Sequence, residues 1–348
     1  MAVLANSLAS AASGLSHGGA MPAFWKNLRA TVPAPFLAAL ALAAGFFAFV
    51  AWDQSAWWRV KPDYAFGWLV PVFALVVLRD RWPRIVAAAQ ACAAPASPRA
   101  SGAGAWLLRG GVAVALAGGA LAFLLGALLR ASAGVSQPST LALTLGAGAM
   151  ALPLILLSAP DSPAPAVAPL WADARLRLAG WFLFPALVWL VSAPLVSAVE
   201  SQLNLFLLHK VVTVVAATFD MLGLPLEQQG NVLVLPNGTV GVEDACSGIR
   251  SLTGCLFAGS FLAALLLDRF WKKVALVAAA LALAFVTNLG RSLFLTAWAW
   301  HHGPESIAGV VHDLAGYAVL GLTALGLLAL LPLLKVRLSV PTASPPGR

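Results

Sequence analysis

The feature that most restricts how this chain can fold is the recurrence of apolar runs of about 17 to 22 residues, close to the ~20 that carry a helix across the hydrocarbon of a bilayer. A soluble core has no room for so many. Composition agrees, since 61% of the residues are hydrophobic and 10% are charged, against ~25% charged in ordinary soluble domains. The chain reads as an all-α polytopic membrane protein with about eight transmembrane helices, at 34–51, 65–78, 109–129, 140–158, 178–196, 248–267, 274–290 and 314–334. The seventh is open to a bend after Gly290. These form a single helical domain over 31–338, with loose tails at 1–30 and 339–348.

The formal charge of +8 belongs to short basic clusters beside the apolar runs, which points to membrane topology and to no nucleic-acid partner. Loops on the cytoplasmic side retain Lys and Arg. With the amino terminus inside, that side takes fifteen of the 21 basic residues, and the other takes Arg59, Lys61, Arg130, Lys210, Arg250 and Arg291. The expected placement is a multi-pass protein of the plasma (inner) membrane with both termini cytoplasmic. Two segments rich in Ala, Pro and Ser, 87–105 and 159–169, read as flexible cytoplasmic linkers. No internal repeat of the kind that marks transporters is visible.

The longest outer segment is 197–245. Its first part, 203–222, is apolar but carries His209, Lys210 and Asp220, which favours a helix lying in the outer interface over a ninth span. Its second part alternates through Val232 to Leu235 and reaches Asn237-Gly238, a turn signal that predicts a small outer β-hairpin. The hairpin leads into Glu243-Asp244-Ala245-Cys246.

Three cysteines, Cys92, Cys246 and Cys255, form no disulfide framework and no metal-ligand spacing, so no metal or cofactor is expected. Cys246 stands at the outer amino-terminal end of the sixth span. Free N–H groups there and Arg250 one turn on favour a thiolate, while a small buried cysteine is the plainer alternative. Cys255 continues a seam of Ser247, Ser251 and Gly259 that lets helices approach closely. Cys92, in the linker, is given no role.

Asn288 and Arg291 share one helical face at the outer end of the seventh span. An arginine at that depth either meets a partner or snorkels to the interface. His312, just before the last span, can exchange a proton near neutral pH or cap its helix; His301 and His302 read as solvated loop residues. The charge-derived topology puts Cys246, Arg291 and His312 on one side at comparable depth. Glu243 and Asp244 either position His312 or are solvated acids at a helix start.

Ala245-Cys-Ser-Gly-Ile-Arg-Ser251, then Asn288-x-x-Arg291, then His312-Asp313 resembles the exosortase and archaeosortase family of membrane cysteine transpeptidases. Tyr64-Ala-Phe-Gly-Trp-Leu-Val-Pro71 looks like an early family signature, with Phe66 where a polar residue or histidine is usual. The resemblance implies that Cys246, Arg291 and His312 are catalytic, with a catalytic core over 243–316 and Asn288, Arg250 and Glu243 in support. It implies substrates that are exported proteins with a short carboxy-terminal sorting motif (Pro-Glu-Pro-like), a membrane helix and a basic end, cleaved at the outer face through a thioester. The competing reading is a non-enzymatic membrane transporter or polysaccharide-export component, in which Arg291 and His312 line a polar path. Serine and metal intramembrane proteases lack their motifs here.

Overall fold

A computed structural model describes residues 33–241 and 248–335, the side chains of 248–250 and 335 excepted. In chain order the elements are α1 (Ala34–Val60), a 3-10 helix (Pro62–Leu69), α2 (Val70–Ala93), β1 (Pro98–Ala100), α3 (Gly102–Ala133), α4 (Gln137–Leu157), β2 (Ala166–Ala168), a short 3-10 turn (Leu170–Ala172), α5 (Ala174–Gly180) and α6 (Leu183–Ser192). There follow α7 (Ser197–Met221), β3 (Glu227–Gln229), β4 (Val232–Leu235), β5 (Gly238–Gly241), α8 (Gly248–Leu266), α9 (Phe270–His302), a 3-10 turn (Pro304–Ile307) and α10 (Val310–Lys335). This is an all-α polytopic membrane fold. Among the described residues eight helical segments are long and apolar enough to cross a membrane.

The tally of eight agrees with the sequence, but its membership differs. Ser197–Met221 is one of the eight by length and composition, whereas Ser251–Leu266, within α8, is shorter. The helices also overrun the apolar runs that announce them. α1 continues past residue 51 to Val60 because its polar residues, Asp53 and Gln54, are wholly buried and matched from other helices. Gln54 Nε2 donates to Thr144 Oγ1 at 2.9 Å and to the Trp189 carbonyl at 3.1 Å, and Gln54 Oε1 accepts from Ser192 Oγ at 2.7 Å. Asp53 accepts from Thr140 Oγ1 at 2.5 Å and pairs with Arg130. Polar groups inside a membrane persist where partners of this kind meet them. α9 continues as one helix through Gly290 as far as His302, well past the end of its apolar run.

The chain forms two compact units. The first takes residues 33–49, 78–122 and 146–186, with a core of Phe36, Ile85, Cys92, Ile155, Leu178 and Phe182. Both segments expected to be flexible linkers are ordered in it: Pro98–Ala100 pairs in parallel with Ala166–Ala168. Cys92 is likewise no linker residue, being fully buried in the last turn of α2. Asp173 holds this corner together. Its carboxylate caps α5 by accepting from the Arg175 N–H at 2.9 Å, takes the Ala100 N–H at 3.0 Å, and receives the Arg175 guanidinium at 2.9 and 3.1 Å. Arg99 donates to the carbonyls of Cys92 and Pro160, at 3.2 and 2.7 Å. Burial by itself raises the carboxyl of Asp173, but the bonds from Arg175 and Ala100 outweigh it and hold the group below its ordinary value.

The second unit takes 50–77, 123–145, 187–241 and 248–335. Its centre is the bundle of α8, α9 and α10, closed around Cys255, Ala263, Leu276, Ala280, Ala284 and Leu327. The expected hairpin is present and carries an additional strand. β3, β4 and β5 form an antiparallel sheet in that order, with Gly230 at φ +63° in the first turn. Gly238 pairs opposite Leu235, so the second turn is Pro236-Asn237, one residue earlier than the Asn-Gly signal placed it. The sheet rests on the end of α9, where Asn237 Nδ2 donates to the carbonyls of Ala299 and Trp300 at 3.2 and 3.1 Å.

Because the carboxyl of Asp173 is lowered on folding, its contribution is complete above the ordinary carboxylate value of ~4 and disappears as pH falls through the lowered one. Asp173→Ala removes one partner of a buried ion pair and is expected to destabilise by about 3 to 5 kcal/mol at neutral pH. Thermal unfolding in detergent checks this, and the gap between wild type and variant narrows only below pH ~4.

Candidate functional site

Two of the three residues singled out as catalytic are joined directly. Arg291 Nη2 lies 2.8 Å from His312 Nε2, and the same nitrogen is 3.5 Å from the His312 carbonyl oxygen. The contact follows from antiparallel packing of α9 and α10, which also brings Thr287 Oγ1 within 3.1 Å of Thr323 Oγ1 further into the bundle. A guanidinium offers only N–H donors. In this hydrogen bond Arg291 donates and His312 Nε2 is the acceptor. The Nε–H of Arg291 is buried and has no hydrogen-bond partner among the described residues. One turn beyond His312, Gly316 lies against the guanidinium, where a Cβ would stand in ordinary contact with Nη2 at 3.8 Å.

Asn288 is buried one turn before Arg291. Its backbone carbonyl accepts from Ser292 Oγ at 3.1 Å, and no hydrogen bond joins its side chain to Arg291 among the described residues. Cys246 and Glu243 lie outside the described residues, and Arg250 is described by its backbone alone, in the first turn of α8.

What is described is where α8 begins, at Gly248. α8 runs antiparallel to α9 at a distance set by Gly259, where a Cβ would come within 2.7 Å of the Ala280 Cβ. Gly248 precedes Gly259 by eleven residues, and Arg291 follows Ala280 by the same number. At a rise of ~1.5 Å per residue in both helices, the first residue of α8 stands level with Arg291. Cys255, in the small-residue seam, is buried in the bundle core.

The early segment Tyr64–Pro71, which had no assigned role, proves to be the seat of α8. Thr253 Oγ1 donates to the Asp63 carbonyl at 3.2 Å. Phe66 stacks on Phe257 at 5.2 Å between ring centroids, and Phe73 stacks on Phe257 and Phe261 at 5.1 and 3.9 Å. An aromatic ring at position 66 is thus matched to the face it meets. Gly67 lies flat against the Trp58 indole, where a Cβ would come within 2.1 Å of Nε1. Tyr64 is buried and its hydroxyl accepts from the Leu195 N–H at 3.1 Å. His301 and His302 end α9 as exposed residues and do not approach Arg291 through any hydrogen bond or ring contact.

A family model described as transmembrane exosortase matches residues 57–329. Comparison with curated proteins and with solved structures returns no match.

Gly259→Val is expected to force α8 away from α9 and to lower stability by about 1 to 3 kcal/mol. Gly254, with nothing within 4 Å of a built Cβ, is the control. Gly254→Ala should leave the unfolding midpoint unchanged or raise it, since alanine favours a helix interior by roughly 0.5 to 1 kcal/mol.

Proposed function

The chain belongs to the transmembrane exosortase family, and from that premise we propose that it is a membrane cysteine transpeptidase whose nucleophile is Cys246. The observation that carries the reading is the level start of α8 beside an arginine already bonded to a histidine on the next helix. The substrates are exported proteins ending in a short sorting motif, a membrane helix and a basic cluster, and cleavage takes place at the outer, non-cytoplasmic face.

In this reading the Cys246 sulfur attacks the carbonyl carbon of the scissile peptide bond while His312 Nε2 takes the thiol proton. The new bond is C–S. As the tetrahedral centre collapses, the C–N bond breaks and the departing amine leaves with the proton from His312, giving a thioester. An amine, a hydroxyl or water then attacks the thioester carbon, passing its proton through His312 back to the sulfur. Arg291 supplies N–H donors to the oxyanion in both halves, and its unpartnered Nε–H is a donor to spare. For Nε2 to accept from a thiol, Arg291 has to release it, so the guanidinium exchanges the imidazole for the substrate oxygen as the peptide bond arrives. Arg250 supports a thiolate at the helix start, while Asn288 fills the buried turn beneath Arg291.

Co-expression with a reporter ending in a Pro-Glu-Pro-like motif, an apolar helix and a basic cluster tests this, with tail removal read on a gel and the thioester released by hydroxylamine. Cys246→Ala should abolish processing, and His312→Ala should leave no acyl-enzyme. Arg291→Lys keeps the charge but loses the fork, and the rate should fall about 10²–10³-fold, as for the loss of an oxyanion donor. Undiminished processing by Cys246→Ala would overturn the reading and favour a path-lining role for Arg291 and His312.

A further inference from the structure

We propose that α7 does not cross the membrane: it lies on the face at which α8 begins, and its partner is the lipid headgroup region of that face. The inference is independent of the transpeptidase reading, because it rests on how α7 and α8 divide α9 between them.

The level of its amino end is fixed by polar contacts. Glu200 accepts from Lys61 Nζ at 3.0 and 2.7 Å and from Gln137 Nε2 at 2.8 Å, and Ser197 Oγ donates to Gln137 Oε1. Lys61 follows the last residue of α1, and Gln137 is the first of α4. Two residues further along the chain, Asp63 meets Thr253 near the start of α8. α7 therefore begins where two other helices end or begin, at the height of the first turns of α8.

Its course from there is set by what it packs against. Leu208, Val211, Val212, Val215 and Phe219 bury themselves against a set that includes Leu289, Leu293, Ala297 and Trp300 of α9. The sheet that follows α7 is bonded to the carbonyls of Ala299 and Trp300. α7 thus accompanies α9 from Phe285 onward to Trp300, whereas α8 accompanies it from the height of Arg291 back toward Phe270, the two overlapping only around Phe285 and Leu289. The 33 residues of α9 extend ~50 Å, and the hydrocarbon is ~30 Å thick. Only about 20 of its residues can occupy the hydrocarbon at once, and the stretch beside α8, from Phe270 to the height of Arg291, is long enough to do so.

The surface α7 leaves open suits a boundary between lipid and water. Leu205, Phe206, Met221 and Leu222 are exposed beside the exposed His209 and Lys210. Lys210 Nζ stands 5.6 Å over the Phe206 ring. Apolar bodies mixed with a cation on one face fit the headgroup region, where a ring is buried and an ammonium remains hydrated.

Sidedness and depth test the proposal. In a chain carrying Cys92→Ala, Cys246→Ala and Cys255→Ala, single cysteines are placed by Ser132→Cys, Ser201→Cys and Gln229→Cys and treated with a membrane-impermeant maleimide in intact cells and after permeabilisation. All three should label from one side. Labelling of Gln229→Cys from the side opposite to Ser201→Cys would mean that α7 spans, and would overturn the proposal. A protease-cleavable tag inserted after Gly223 in the otherwise unaltered chain reads the same sidedness should the cysteine-free chain fail to accumulate. A nitroxide on Phe206→Cys in reconstituted vesicles should report headgroup depth from its collisions with oxygen and with a chelated nickel ion. Collision with nickel at the rate of a free label, or dipolar broadening between two labels, would replace lipid with water or with a second copy of the chain and would equally overturn it.

Discussion

The arrangement of the site depends on one close approach, that of α8 to α9 at Gly259. With no side chain there, the two backbones settle against each other around the Ala280 methyl group. In a bilayer, where lipid tails are as apolar as the residues they touch, helices gain little from hydrophobicity and associate through such tight packing. Register follows from it. Once Gly259 faces Ala280, the identical rise of two antiparallel helices carries the beginning of α8 to the height of Arg291, and the antiparallel return of α10 brings His312 to the guanidinium. Displacing this contact by one turn would separate the helix start from Arg291 by ~5 Å, about the pitch of a helix.

A second constraint is that every buried polar group needs an answer inside the protein. Asp53 and Gln54 are answered by Thr140, Arg130, Thr144 and Ser192, and Asp173 by Arg175 and Ala100. These are structural solutions, satisfied on several sides. Arg291 is different. Its Nη2 has a partner that is itself titratable, and its Nε–H has none among the described residues. A buried N–H left unmatched on a half-buried side chain is where a polar ligand finds a donor waiting.

How far the sequence reveals this molecule depends on whether the information is local. Apolar runs name the helices, because hydrocarbon imposes the same demand on every segment that enters it. Helix ends are hidden, since Asp53 and Gln54 look like a boundary until their partners are found, Thr144 for instance 90 residues along the chain. The parallel pairing of Pro98–Ala100 with Ala166–Ala168 leaves no trace in composition, as neither strand is long enough to alternate. For the site, Arg291 and His312 are legible as expensive residues beside apolar runs, and the structure brings the two side chains together. The seat formed by Tyr64, Phe66, Gly67 and Phe73 is legible only as a motif. What it supports, Thr253, Phe257 and Phe261, is almost two hundred residues away, and Trp58 beneath Gly67 belongs to another helix.

The uninterrupted course of α9 has a mechanical corollary. Near its first turn Lys272 Nζ donates to the Leu334 carbonyl, and near its last turn Asn237 holds the carbonyls of Ala299 and Trp300. A helix held close to both tips is displaced least beside its pins, and Arg291 stands between them, nearer to the one made by Asn237. Tilt of α9 against its neighbours is opposed at both tips, which limits how far the guanidinium can swing away from His312.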